Sequence, residues 1–230
     1  MVETCQPDPT LPLALSLKKA GKVPIESKNL LQKEPKNIYA RPTRFGDICV
    51  LLEPTQKEEI NHLRQRQLSL QALFGGTPIE DVHLTCQRFA CQDEHLVQGF
   101  VPTLTRALAI VEPFPFTALS LKTLDSPLRQ TNILKWHIQI TQTLQRFVSI
   151  AEHTLLATGI TPLYLSGFVS SLVAALRGVP ELNSDDLPSY SVFPHHLFTA
   201  GKVVLSKING LNEFETLATI RLPAFTQPIP

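Results

Sequence analysis

Glu80-Asp81-Val82-His83-Leu84-Thr85-Cys86-Gln87-Arg88-Phe89 is the stretch whose reading decides the fold. Taken as a strand, with side chains alternating between faces, it sets His83, Thr85 and Gln87 on one side and Val82, Leu84 and Cys86 on the other. An imidazole and a hydroxyl then stand next to each other over an otherwise apolar sheet. Such a pair can give or take a proton near neutral pH and can hold a phosphoryl oxygen. A lone His-x-Thr also recurs by chance as the polar face of an ordinary strand, so its meaning depends on the elements around it.

Upstream, Ile48-Cys49-Val50-Leu51-Leu52 is a continuous apolar run of strand length closed by Pro54. Thr55 with Glu58 three residues on has capping-box spacing, which predicts a helix through Ile60, Leu63, Gln67, Leu70 and Leu73 or Phe74, ended by Gly75-Gly76-Thr77-Pro78. Downstream, Asp93 is placed to cap a helix through Leu96, Phe100, Leu104, Leu108 and Val111, with Pro102 as a kink or late start. Phe116 to Leu124 and Ile133 to Thr141 alternate as strands. Leu144, Phe147, Val148, Ala151 and Leu155 then form a helical stripe ending near Gly159. The order is strand, helix, His-x-Thr strand, helix, strand, strand, helix.

Composition bounds the partners. The 230 residues, 43% hydrophobic and 18% charged, suffice for one large domain or two small lobes around a real core. A net charge of +1 gives no overall attraction to nucleic acid or anionic membranes, so any polyanion must be drawn by a local cleft. Cys5, Cys49, Cys86 and Cys91 form no CxxC pair and have no zinc-type histidine spacing, which predicts reduced thiols in the cytoplasm and no metal. Pro7, Pro9, Pro12, Pro24, Pro35 and Pro42 mark residues 1–44 as a poorly ordered leader before a domain over 45–225. Its short apolar run is broken by Pro12 and followed, not preceded, by Lys18 and Lys19, unlike a secretory signal.

From about Asp47 to Gly159 these residues resemble the 2H phosphoesterase superfamily, which includes the 2′-5′ RNA ligases and RNA 2′,3′-cyclic phosphodiesterases. The resemblance rests on the opening strand Ile48 to Leu52, His83-Leu84-Thr85-Cys86 after a single helix, the strand Phe116 to Leu124, and Ile133-Leu134-Lys135-Trp136 running into the helix that carries Leu144. It implies an α+β, bilobal fold: two similar lobes of mainly antiparallel sheet with helices on their outer faces, each giving one His-x-Thr/Ser strand to a central cleft. It also implies a metal-independent reaction without cofactor, in which one histidine takes a proton from the attacking water or hydroxyl and the other protonates the leaving ribose oxygen. The substrate would be a 2′,3′-cyclic phosphate or a 2′-5′ phosphodiester end of RNA or a nucleotide, bound by a monomer. The alternative is a catalytically degenerate relative that binds a nucleotide or RNA end without turnover.

The second half departs from the family pattern. Ile160 to Leu176 holds no charged residue, and Phe168, Val169, Leu172, Val173 and Leu176 predict a buried helix in preference to a membrane span, given Pro162, Gly167 and the run's marginal length. Gly178-Val179-Pro180 ends it, and 183–191 reads as a polar loop. Two places then compete for the second motif. Phe193-Pro194-His195-His196-Leu197 has the lead-in, but Leu197 stands where the hydroxyl should be and Thr199 comes two residues later. Lys202-Val203-Val204-Leu205-Ser206-Lys207-Ile208 fits the topology better, before an Asn209-Gly210 turn and a last strand Phe214 to Leu222, but puts Lys202 and Val204 in the places of histidine and threonine. The candidate site is therefore His83, Thr85 and His195 for catalysis, with Lys202 holding substrate as a point charge. His137, on the Trp136 strand, reads as a structural strand residue, and His62, His95 and His153 fall in helical stretches.

Overall fold

The apolar run around Cys49 forms the middle of β1 (Asp47–Pro54), covered on both faces as its composition requires. In the computed structural model, residues 41–90, 94–126, 130–182, 187, 193–210 and 213–223 are described. The leader up to residue 40, the Asp93 cap, Cys5, Cys91 and nearly all of the 183–191 loop lie outside them. After β1 come α1 (Lys57–Phe74), β2 (Thr77–Pro78), β3 (Leu84–Ala90), α2 (Glu94–Leu108), β4 (Phe114–Ser126), β5 (Thr131–Ile138), α3 (Gln142–Ala157), β6 (Leu172–Val179), β7 (His195–Ile208) and β8 (Phe214–Arg221).

The class is α+β: among the described residues, three helices and eight strands, all paired antiparallel. The strand order is β2-β6-β5-β4-β7-β1-β3, with β8 also on β7. β7 divides the sheet. Its first residues, His195 to Ala200, pair with β4, whereas Lys202 to Ile208 pair with β8 on that same edge; β1 runs along the other edge. The sheet therefore forks, and a gap opens between its two arms.

One face of every main strand joins the helices in a single core. Leu63, Gln67, Leu70 and Phe74 are the buried stripe of α1, while Ile60 and Leu73 stay exposed. Phe100, Leu104 and Leu108 anchor α2, which accommodates Pro102 within its length, and Leu144, Phe147, Val148, Ala151 and Leu155 anchor α3. The sheet contributes Ile48, Val50 and Leu52, Leu84 and Cys86, Leu134 and Trp136, and Val173 and Ala175. No helix among the described residues is long and apolar enough to cross a membrane.

Two local expectations are corrected. Gln56, not Thr55, is the N-cap of α1, and no side chain caps it. Thr55 instead lies against Gly201 of β7, where an added Cβ would collide with its hydroxyl and come within 2.9 Å of its methyl group, so its packing partner requires glycine. The cap that does form is at α3, where the Leu144 amide donates to the Thr141 hydroxyl at 3.2 Å. The larger correction concerns 160–176. Leu172 to Val179 is a strand, and the preceding residues are irregular, touching β3 through a bridge between Phe89 and Pro162. An uncharged run buried on one side and walling a cavity on the other carries no helical period that sequence could separate from chance.

Candidate functional site

The face of the sheet turned away from the helices walls a cavity of about 340 Å³, within the size range of small-molecule sites. β3 enters it with Thr85, and His83 enters it from the residue just before the strand, both half-buried. Val82, Leu84 and Cys86 on the opposite face are buried in the core, which is why the strand cannot rotate. The His83 Nδ1 lies 2.7 Å from the Asp81 carbonyl, so that nitrogen carries the proton and donates, and Nε2 is the nitrogen with the basic lone pair. The ring also meets Phe214 of β8 edge to face, with centroids 5.8 Å apart.

Gln87 does not share that face. A β-bulge at Cys86 of β3, opposite Val50 and Leu51 of β1, shifts the register, so Gln87 turns inward with Cys86 and Arg88 takes the cavity side. The buried Gln87 carboxamide oxygen accepts from the amides of Arg88 and Tyr164, both at 2.9 Å. Arg88 is 3% exposed, lies over the Tyr164 ring at 5.5 Å, donates to the Thr43 hydroxyl and the Arg41 carbonyl, and faces the Asp47 carboxylate at 3.5 Å.

The other arm of the sheet repeats this construction. β5, α3 and β6 follow one another as β1, α1 and β3 do, and β6 carries a matching bulge. Leu172 and Ala174 line the cavity, Val173, Ala175 and Leu176 turn to the core, and Arg177 returns to the cavity. The spacing is that of His83, Thr85 and Arg88. Leu172 thus occupies the place of the histidine, Ala174 that of the threonine, and Arg177 that of Arg88. Across the ladder Thr85 faces Leu51, whereas Ala174 faces Lys135, which lines the cavity. Asp47 pairs with Ala90 at the start of β1, whereas the matching residue of β6, Val179, pairs with Asn132, so this ladder position carries no carboxylate on the second arm.

Neither predicted second-arm residue reaches this place. His195 opens β7, opposite Ala118 of β4 and stacked on Phe193 with centroids 5.0 Å apart, and is not among the residues lining the cavity. Lys202 lies on the same strand opposite Glu53, with which it forms an ion pair at 2.8 Å, also outside the lining. β7 is the strand on which the two arms meet, not the counterpart of β3. The structure brings His83 and Thr85 together but separates both from His195 and Lys202. Sequence reasoning missed Arg88, Lys135, Tyr164 and Arg177. The bulges that turn the arginines to the cavity and the register that sets Lys135 opposite Ala174 leave no local sequence signal, although the five-residue spacing from Leu172 to Arg177 repeats that from His83 to Arg88. His137 lies near Ser120, with 3.4 Å between its Nδ1 and the hydroxyl, and is likewise not in the cavity lining. Among the described residues no three His, Cys, Asp or Glu side chains converge on a common point that could hold a metal ion.

A mainly antiparallel sheet with helices on one face and a cavity on the other agrees with the α+β class that the resemblance to the 2H phosphoesterases implied. Among solved structures the fold is similar to TT0787 of Thermus thermophilus, with a TM-score of 0.52, 16% identity, and 76% of this chain and 97% of that one covered. It is also similar to a protein described as a phosphoesterase, with a TM-score of 0.50, 12% identity, and 78% and 99% covered. Escherichia coli LigT in its apo form gives a TM-score of 0.48 at 13% identity, over 78% and 98% of the two chains. At such identities the likeness concerns the fold. No family model matches the sequence, and no curated protein matches it.

Proposed function

We propose that this protein binds the phosphate-bearing end of a nucleotide or RNA in the cavity between the two arms and does not carry out the two-imidazole opening of a 2′,3′-cyclic phosphate. The observation that supports this reading is the pair Leu172 and Ala174, standing on β6 where β3 has His83 and Thr85. Opening a cyclic phosphate needs one group to take a proton and another to give one. His83 is arranged for one of these roles, and the facing strand offers an isobutyl and a methyl group for the other.

The imidazolium form of His83, donating from Nε2, and the Thr85 hydroxyl remain suited to holding a phosphoryl oxygen, and Lys135 and Arg177 supply positive charge from the opposite arm. The same reading takes the protein as a cytoplasmic monomer that needs no cofactor. A phosphoesterase reading would keep His83 and Thr85 but would have to recruit its second proton carrier from outside the cavity, where His195 is held.

The test is hydrolysis of 2′,3′-cyclic UMP by the purified protein in the presence of chelator, across pH 5 to 9, beside calorimetric titration with 3′-UMP and inorganic phosphate. A positioned acid or base contributes roughly 10²- to 10⁴-fold, so turnover should fall at least that far below the 1 to 10³ s⁻¹ of ordinary enzymes. Binding should be measurable and should weaken in His83→Ala. Turnover of about 1 s⁻¹ or faster that disappears in His83→Ala would overturn the proposal.

A further inference from the structure

We infer that the ligand of this cavity is a terminal phosphomonoester, such as a nucleoside 3′-phosphate, in preference to a cyclic or bridging phosphodiester. This rests on the binding reading above and sharpens it. The two arms hold anions by different means. On β3 the polar groups are an imidazole and a hydroxyl, and the guanidinium beside them, Arg88, is matched by the buried carboxylate of Asp47. On β5 and β6 the hydrogen-bonding pair is gone. Leu172, Ala174, Ile133 and the nearby Ile79 make an apolar wall, with Lys135 and Arg177 set into it. Arg177 makes no ion pair among the described residues, and Asn132 stands at the ladder position from which Asp47 neutralises Arg88 on the other arm.

A phosphodiester presents two non-bridging oxygens that diverge from one phosphorus and share a single negative charge. Between two His-x-Thr strands each oxygen finds donors. Here the oxygen turned towards Leu172 and Ala174 meets neither imidazole nor hydroxyl, and its half share of one charge draws little from Lys135 beside them. A terminal phosphoryl group has three equivalent oxygens. It can turn all of them towards His83, Thr85 and the cations, leaving the apolar wall to the sugar and base. Its charge of about −1.5 to −2 at pH 7 also gains more from Lys135 and Arg177 than a monoanion does. The carboxylates of Glu80 and Asp81 lie at the exposed rim, where the high dielectric of water weakens them.

Calorimetric titrations of the whole chain at low ionic strength, with 3′-UMP, 2′,3′-cyclic UMP and uridine as probes, decide the matter. The expected result is that 3′-UMP binds at least tenfold tighter than the cyclic diester and that uridine binds weakest. Arg177→Gln and Lys135→Met should each erase most of the preference, with native far-ultraviolet dichroism showing that they fold. The double substitution Leu172→His with Ala174→Thr should move the preference towards the cyclic diester. Equal or tighter binding of 2′,3′-cyclic UMP by the parent would overturn the inference while leaving the binding reading intact. Absence of binding by all three probes would overturn both. An unchanged preference in Arg177→Gln and in Lys135→Met would also overturn the inference, because the charge it invokes would then have no effect.

Discussion

Replacing Asp47 with alanine should cost this protein more than most single changes on its surface or in its core. Asp47 is 2% exposed and accepts from Arg41 Nη2 at 2.5 Å, Arg41 Nη1 at 3.1 Å and the Arg44 amide at 2.9 Å, with Arg88 Nε 3.5 Å away. The two arginines would suffer unequally. The Arg41 side chain is 24% exposed and can turn to water, whereas that of Arg88 is 4% exposed and cannot. Removing one partner of a buried pair costs about 3–5 kcal/mol because the other charge stays buried without its counter-ion. For a chain of this size each kcal/mol lowers the melting temperature by about 2–4 °C, so Asp47→Ala should melt roughly 6–20 °C below the parent. Thermal and urea unfolding followed by circular dichroism measure this directly. The double variant Asp47→Leu with Arg88→Met should recover much of the loss, since it removes both charges together. A loss below about 1 kcal/mol in Asp47→Ala would refute the argument, because it would mean that water already reaches Arg88.

Gly201→Ala should destabilise the fold by about 1–3 kcal/mol in urea unfolding, because its Cβ would run into the Thr55 hydroxyl and stand 2.9 Å from the methyl group beside it. Adding Thr55→Ala to it should restore most of the loss, and no recovery would mean the strain lies elsewhere. Gln67→Leu removes the two bonds from the buried carboxamide to the carbonyls of Ile79, at 2.7 Å, and Ala175, at 2.9 Å; a loss of about 1–3 kcal/mol is expected, and unchanged urea stability would refute it. Burial pushes the Cys86 thiol well above the ordinary thiol range. The folded chain therefore keeps this proton where the unfolded chain releases it, so the contribution to stability is full below about pH 8.5 and is lost as pH climbs towards the raised folded value. In Cys86→Ala the decline of stability between pH 8 and 10 should be shallower than in the parent, and identical pH profiles would count against the assignment.

How much of this could be read beforehand follows from where each signal resides. The strand carrying His83 announces itself because an apolar face and a polar face alternate over successive residues, and the stripes of α1 and α3 repeat at helical spacing. β6 does not announce itself. Leu172-Val173-Ala174-Ala175-Leu176 has no polar residue to mark its cavity face, since the positions that would mark it are leucine and alanine. With β6 taken for a helix, a second motif has to be sought at His195 and Lys202, on the strand that joins the arms. Arg88 and Arg177 reach the cavity through bulges, and a bulge belongs to the pairing of two strands, not to either strand alone.

The fork at β7 bears on how a ligand would enter and leave. The strand that carries β1 and β8 along its second half is covalently continuous with the part that pairs with β4. Swinging the arms apart would require breaking the ladder from Phe114–Ala200 to Ala118–His195, so among the described residues the arms are joined by paired strand and not by a loop on which a hinge could turn. The separation of the walls is then fixed before any ligand arrives. A fitting molecule spends little free energy on ordering the protein, and its rate of association reflects diffusion and steering, not a closing motion.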